Sequence, residues 1–227
     1  MQLTLHHRLV GDATVVTCRG RLIFGAESTA LQESLDALLP RSRHVVLHLG
    51  EVDFIDSGGL GLLVRYLARA QRSTATLSVC AVSPKVDDVL RITKLKTVFP
   101  PYETEALAIT EVHQRDTTYD AAKTTVLCVD ASSDVSTYLR ELLKAAGYRV
   151  LTALNVADAL VLLVATRPTV VVVSAELKAL RGTRTAEEFH RLAAERSLVV
   201  LPAGFSAHDA GEAASEVLSA VRGAASL

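Results

Sequence analysis

The sequence predicts two small α/β domains in tandem: a mixed sheet with helices against it, then a smaller doubly wound parallel sheet. Three observations carry this. The chain has 227 residues, more than one small domain needs. Short apolar β-rich runs alternate with stretches of helical period through both halves. A polar stretch without periodicity, 113–123, separates them as a linker and sets expected domains at 1–112 and 124–227.

In the first half, 2–10 and 13–20 read as strands around the turn Gly11-Asp12, a hairpin signal. Ala30, Leu31, Leu35, Leu38 and Leu39 fall at helical spacing, and Pro40 stops that helix. The run 43–49 is β-branched and apolar, as a central strand should be. After a short loop, Asp56-Ser57-Gly58-Gly59 opens a helix to about Arg72. Leu60, Leu63, Val64 and Leu67 recur at i, i+3, i+4, i+7 and form its expected buried face. Arg65, Arg69 and Arg72 lie on the other side. A strand follows at 76–82, and Pro84 suits the first position of a helix running to about Lys94. A short strand near Phe99 and a helix at 103–112 complete the unit.

In the second half, 125–129 is a strand ending at Asp130. Val135, Leu139, Leu142, Leu143 and Ala146 mark a helix closed by Gly147. The run 148–153 is a strand, and 156–166 an apolar helix ending before Pro168. Four consecutive valines at 170–173 read as a strand buried on both faces. A polar loop leads to a helix near 186–195, a fourth strand at 198–201 and a last helix at 209–222. Strands alternating with helices imply a parallel, doubly wound sheet.

The stretch around Ser57 carries the chemistry. Asp56 and Ser57 are both good N-cap residues, because their oxygens accept the orphan N–H groups of a first helical turn. A hydroxyl is thus held at a helix N-terminus in a glycine-rich turn. Two readings stay open from the residues alone: a cap and nothing more, or a phosphorylatable serine. A phosphate there would gain roughly 0.3–1 kcal/mol from the helix dipole. It would also place about −1.5 to −2 charges on the surface.

The run Asp56-Ser57-Gly58-Gly59-Leu60-Gly61 resembles the D-S-S-G-L-G signature of STAS domains, the anti-sigma factor antagonists. Gly20-Arg21-Leu22 stands where that family has G-E-L-D. Residues 80–86 resemble its strand and turn into the third helix, and 94–99 its final short strand. The resemblance spans roughly residues 1–112. It implies Ser57 as the phosphorylation site, with Asp56, Ser57, Gly58, Gly59, Leu60, Arg21 and Phe24 meeting the partner. It implies as partner an anti-sigma factor that is also a serine kinase, and a serine phosphatase that reverses it. The kinase brings ATP and Mg²⁺, so the chain needs no cofactor of its own. This sequence departs from the family in Gly58, which replaces the second serine, and in Arg21 and Ile23, which replace the acids of G-E-L-D. A second reading makes the chain a scaffold in a signalling assembly, without phosphorylation.

The second half resembles the receiver domain of response regulators, in 126–135, 142–153 and 167–173. A receiver needs clustered carboxylates to hold Mg²⁺ through oxygen ligands. Here Asp130 keeps one acidic position and the next residue is Ala131. Ser174 stands at the acceptor position, and Pro202 where a hydroxyl is expected. Asp130 and Ser174 therefore mark a degenerate receiver site without metal. With no fifth strand, the edge beside 198–201 is left unpaired, and such edges are covered or paired. A homodimer through this half is one way to pair it.

Composition narrows the remaining classes. Formal net charge is −1, and residues 1–112 hold 12 Lys+Arg against 12 Asp+Glu, so nothing points to nucleic acid. No run of 18 apolar residues exists to span a membrane. No basic region precedes an apolar run at the N-terminus. Cys18, Cys80 and Cys128 each fall in a predicted strand, an odd count of buried thiols that suits a reducing cytoplasm. His6-His7 and His44/His48 have no Cys or carboxylate at metal spacing. No Ser/His/Asp arrangement, phosphate-cradling glycine loop or paired carboxylates argue for an enzyme.

Overall fold

The computed structural model describes residues 2–72, 75–97, 100–117, 124–206 and 212–225. The chain divides into two compact units, Met1–Val112 and His113–Leu227.

The first unit opens with β1 (Thr4–Val10) and β2 (Ala13–Leu22), an antiparallel hairpin closed by Gly11 at φ 62°. Then come α1 (Ala26–Leu38), β3 (His44–Ile55), α2 (Ser57–Gln71), β4 (Thr76–Cys80) and α3 (Pro84–Ile92). A short 3₁₀ turn (Leu95–Thr97) and α4 (Glu105–Thr117) follow. The sheet order is β1-β2-β3-β4, with β2, β3 and β4 mutually parallel. Helical crossovers between parallel strands put α1 and α2 over the sheet. Leu31 and Leu35 of α1 and Leu63 and Leu67 of α2 share a core with Val16, Cys18, Leu47 and Leu49.

Three expectations change here, and a fourth falls partly outside the described residues. β3 does not stop at 49 but runs to Ile55, because β2 continues beside it: Arg19 pairs with Glu51, Gly20 with Val52 and Arg21 with Phe54. The buried face of α2 is Gly59, Leu62, Leu63, Tyr66, Leu67 and Ala70. Leu60 and Val64 are only half-buried, since a tyrosine ring and two small residues turn toward the sheet in their place. Phe99 lies outside the described residues. Nearby, the sheet gains an isolated bridge between Cys80 and Tyr102, with Tyr102 N–H donating to the Val79 carbonyl at 2.9 Å. Finally, α4 continues to Thr117 and His113 is fully buried, so the expected linker is helical in its first residues. Residues 118–123 of it lie outside the described chain.

The second unit contains β5 (Thr125–Val129), α5 (Ser133–Ala145), β6 (Arg149–Ala153), α6 (Val156–Thr166) and β7 (Val170–Val173). It continues through α7 (Ala175–Ala179), α8 (Arg184–Ala194), β8 (Ser197–Val200) and α9 (Glu212–Ala225). All strand pairs are parallel, in the order β6-β5-β7-β8. The four valines of β7 are buried throughout, as a strand covered on both faces requires. Val126, Cys128, Leu139, Leu143, Val172 and Val221 build the core on one side. The stretch read as a polar loop after β7 contains α7, because Ser174 caps it by accepting from Leu177 N–H at 3.4 Å. On α5, Leu142 is only half-buried and Ala146 is exposed, so the buried stripe is Val135, Ser136, Leu139 and Leu143.

Burial pushes all three thiols up to about 12. Among the described residues, no helix is long and apolar enough to cross a membrane.

Candidate functional site

The site forms where the parallel strands β2 and β3 end together. Ile55 closes β3, and Asp56 follows in extended conformation as the N-cap of α2. One oxygen of its carboxylate accepts the Gly59 N–H at 2.9 Å. Both oxygens accept from the Phe24 N–H, at 3.0 and 3.2 Å. A single side chain thus ties the first turn of α2 to the chain leaving β2. These N–H groups, Gly59 first and then Phe24, hold the Asp56 carboxyl below the usual carboxylate range, and the charge of Arg21 adds to the effect.

With Asp56 as the cap, Ser57 becomes the first helical residue and is exposed. Among the described residues its hydroxyl makes no hydrogen bond. Of the two cap residues the sequence offered, only one is used, and the other presents a free nucleophile at the positive end of a helix.

The glycines explain how the turn closes. A Cβ on Gly58 would lie 2.6 Å from the Phe24 Cβ. One on Gly59 would lie 2.3 Å from the Leu22 carbonyl oxygen and 2.8 Å from its Cγ. A second serine at 58 therefore does not fit beside Phe24 in this backbone. Gly25, at φ 118°, turns the chain from β2 into α1, a conformation other residues rarely adopt. Phe24 is left 81% exposed on the rim. Arg21 lies with its guanidinium 5.3 Å from the centre of the Phe54 ring, which is also exposed.

Of the residues expected to meet a partner, the structure brings Asp56, Ser57, Gly58, Gly59 and Phe24 into one turn, with Arg21 near enough to act on Asp56. Leu60 is half-buried and packs on the core. Sequence reasoning missed the contribution of α1. A groove of about 370 Å³ runs between α1 and α2 from Ser57, lined by Gly25, Ser28, Thr29 and Gln32 on one side and Gly58, Gly61, Leu62 and Arg65 on the other. The available signal was the small residues Ser28 and Thr29 in the first turn of α1, half-buried and exposed, but only the tertiary pairing shows what they face. At the end of the groove Arg65 donates to Gln32 Oε1 at 2.7 Å, and beyond it Arg69 pairs with Asp36.

In the second unit, Asp130 and Ser174 stand at the C-terminal ends of β5 and β7, beside a hollow of about 420 Å³. Asp130 is 7% exposed and accepts the Ser132 N–H at 2.7 Å; burial raises its pKa. Ser174 uses its hydroxyl as the cap of α7. Among the described residues, no group of three His, Cys, Asp or Glu is placed to hold a metal ion.

Residues 6–108 match the STAS domain. The anti-sigma F factor antagonist of Paenibacillus polymyxa is 30% identical over 108 residues, which are 47% of this chain and 90% of that protein. BtrV of Bordetella bronchiseptica is 28% identical over 90 residues, 39% of this chain and 78% of BtrV. The crystal structure of an anti-sigma factor antagonist from Mycobacterium paratuberculosis aligns with a TM-score of 0.44 and 25% identity, over 49% of this chain and 94% of that one.

Proposed function

The first half of this chain belongs to the STAS domain family, and we propose that it acts as an anti-sigma factor antagonist switched at Ser57. The observation that carries the reading is the exposed, unbonded Ser57 hydroxyl at the N-terminus of α2, left free because Asp56 takes the cap. Unphosphorylated, the turn presents a neutral hydroxyl at Ser57 with the exposed Phe24 beside it. The proposed partner is an anti-sigma factor with serine kinase activity, which supplies ATP and Mg²⁺. Transfer of the γ-phosphoryl group to Ser57 Oγ, with loss of its proton, adds about −1.5 to −2 charges in the middle of the contact. The docked partner would have to strip water from that charge, so release follows.

The test uses the full chain and the anti-sigma F factor of Paenibacillus polymyxa, the protein that the 30%-identical relative is named for antagonising. The Ser57→Ala variant should bind as the unmodified chain does. Ser57→Asp should bind about tenfold or more weakly, roughly 1.4 kcal/mol. After incubation with ATP and Mg²⁺, mass spectrometry should place phosphate on Ser57. Equal binding by the two variants rejects the switch. Binding without any phosphate on Ser57 favours the scaffold reading instead.

For the second unit we propose a receiver-like fold that has lost phosphoryl chemistry. Ser174 occupies the acceptor position with its hydroxyl committed to α7, and Asp130 is a buried carboxylate fixed on its own turn, with Asp134 and Glu176 lining the same hollow but no group of three placed to hold a metal among the described residues. Such a unit works by contact rather than by group transfer.

A further inference from the structure

Resting on the docking reading above, we infer that the groove between α1 and α2 receives an acidic segment of the anti-sigma factor, with a carboxylate held by Arg65 and the segment passing close over Gly61. Gly61 is the first observation. It lies inside α2, where glycine weakens a helix. A Cβ added there meets nothing within 4 Å, unlike those at Gly58 and Gly59, so the chain's own packing does not require it. The missing side chain leaves open space on the wall of a groove that begins at Ser57.

Charge identifies the occupant. The Ser28 and Thr29 hydroxyls are turned back onto the Gly25 carbonyl, at 3.0 and 2.9 Å. Arg65 is the ionised group among the lining residues, and it meets the neutral amide of Gln32. One turn further along, Arg69 is matched by Asp36. Arg65 also lies over the Tyr66 ring and feels the charge of Asp36, but among the described residues no carboxylate touches its guanidinium, so the groove presents a guanidinium that a carboxylate could still grip in fork geometry. Phe24 at the mouth supplies the large exposed ring that interface centres favour.

The experiment measures calorimetric binding of the Paenibacillus polymyxa anti-sigma F factor to the full chain and its variants, with a thermal melt of each. Gly61→Ala should melt at a higher temperature and bind about tenfold more weakly. Arg65→Glu should lose about tenfold or more, with Arg65→Lys retaining part of the affinity. If both Gly61→Ala and Arg65→Glu bind like the unmodified chain while Ser57→Asp does not, the groove is not used and docking at Ser57 stands. Loss in Gly61→Ala with none in Arg65→Glu overturns the acidic segment. Should either variant change the chain's own sedimentation, the occupant is a second copy and the inference fails. An unmodified chain that does not bind removes the docking reading and this inference with it.

Discussion

Asp56 shows how much one side chain can fix. Its carboxylate accepts N–H groups from two separate segments, so it sets both the start of α2 and the position of Phe24. Replacing it with alanine should cost about 0.5–2 kcal/mol in urea unfolding, the range for a lost N-cap. The pH dependence has a defined sign. The folded state lowers this pKa, so the stabilisation is complete above the unfolded carboxyl value and fades as pH falls through the lower folded value. Below about pH 4, the unmodified chain should therefore lose stability more steeply than Asp56→Ala; parallel slopes would show that the carboxylate is not coupled to folding. Gly59 is the steric counterpart: Gly59→Ala should destabilise by about 1–3 kcal/mol, because its Cβ would meet the backbone of Leu22 and cannot move aside.

The elements differ in how openly the sequence declares them. The valines of β7 and the helix α6 are legible to the residue, since one is a continuous apolar stretch and the other is apolar but for Asp158 and Thr166 and lies between the Asn155 cap and Pro168. β3 is not, because Gly50, Glu51 and Asp53 look like a loop; only the neighbouring β2, with Arg19 opposite Glu51 at 2.9 Å, keeps them extended. The face of α2 is misread for a related reason: Gly59, Tyr66 and Ala70 are not obvious core residues until the sheet beneath them is in place. The same limit applies to the site. Ser57 and its cap are local and can be read, whereas the groove depends on α1 meeting α2. β8 carries the prediction at this scale. Among the described residues it has one neighbour in its sheet, and Leu198 and Val200 are 38% and 37% exposed without a charged residue in the strand. If a second copy pairs there, the chain should sediment as a dimer at tens of micromolar, on the order of ordinary transient affinities, and Leu198→Lys should return it to monomer. A monomeric unmodified chain would count against pairing.

Each compact unit has its own sheet with buried apolar residues packed against it. Each unit is of a size that folds alone. Calorimetry should therefore show two transitions, and Leu139→Ala, which empties space in the second core, should lower one of them by about 2–5 kcal/mol and leave the other in place. A single transition that moves as a whole would mean that the units unfold together. The three cysteines bear on how such work can be done. Because the thiolate is the reactive form, side chains this deeply covered and this firmly protonated stay inert toward maleimides in the native state. The native chain is thus a silent background for labelling. One cysteine introduced at the rim beside Phe24 would take a single fluorophore, and its emission would follow a visiting protein in real time without any native residue having to be removed first.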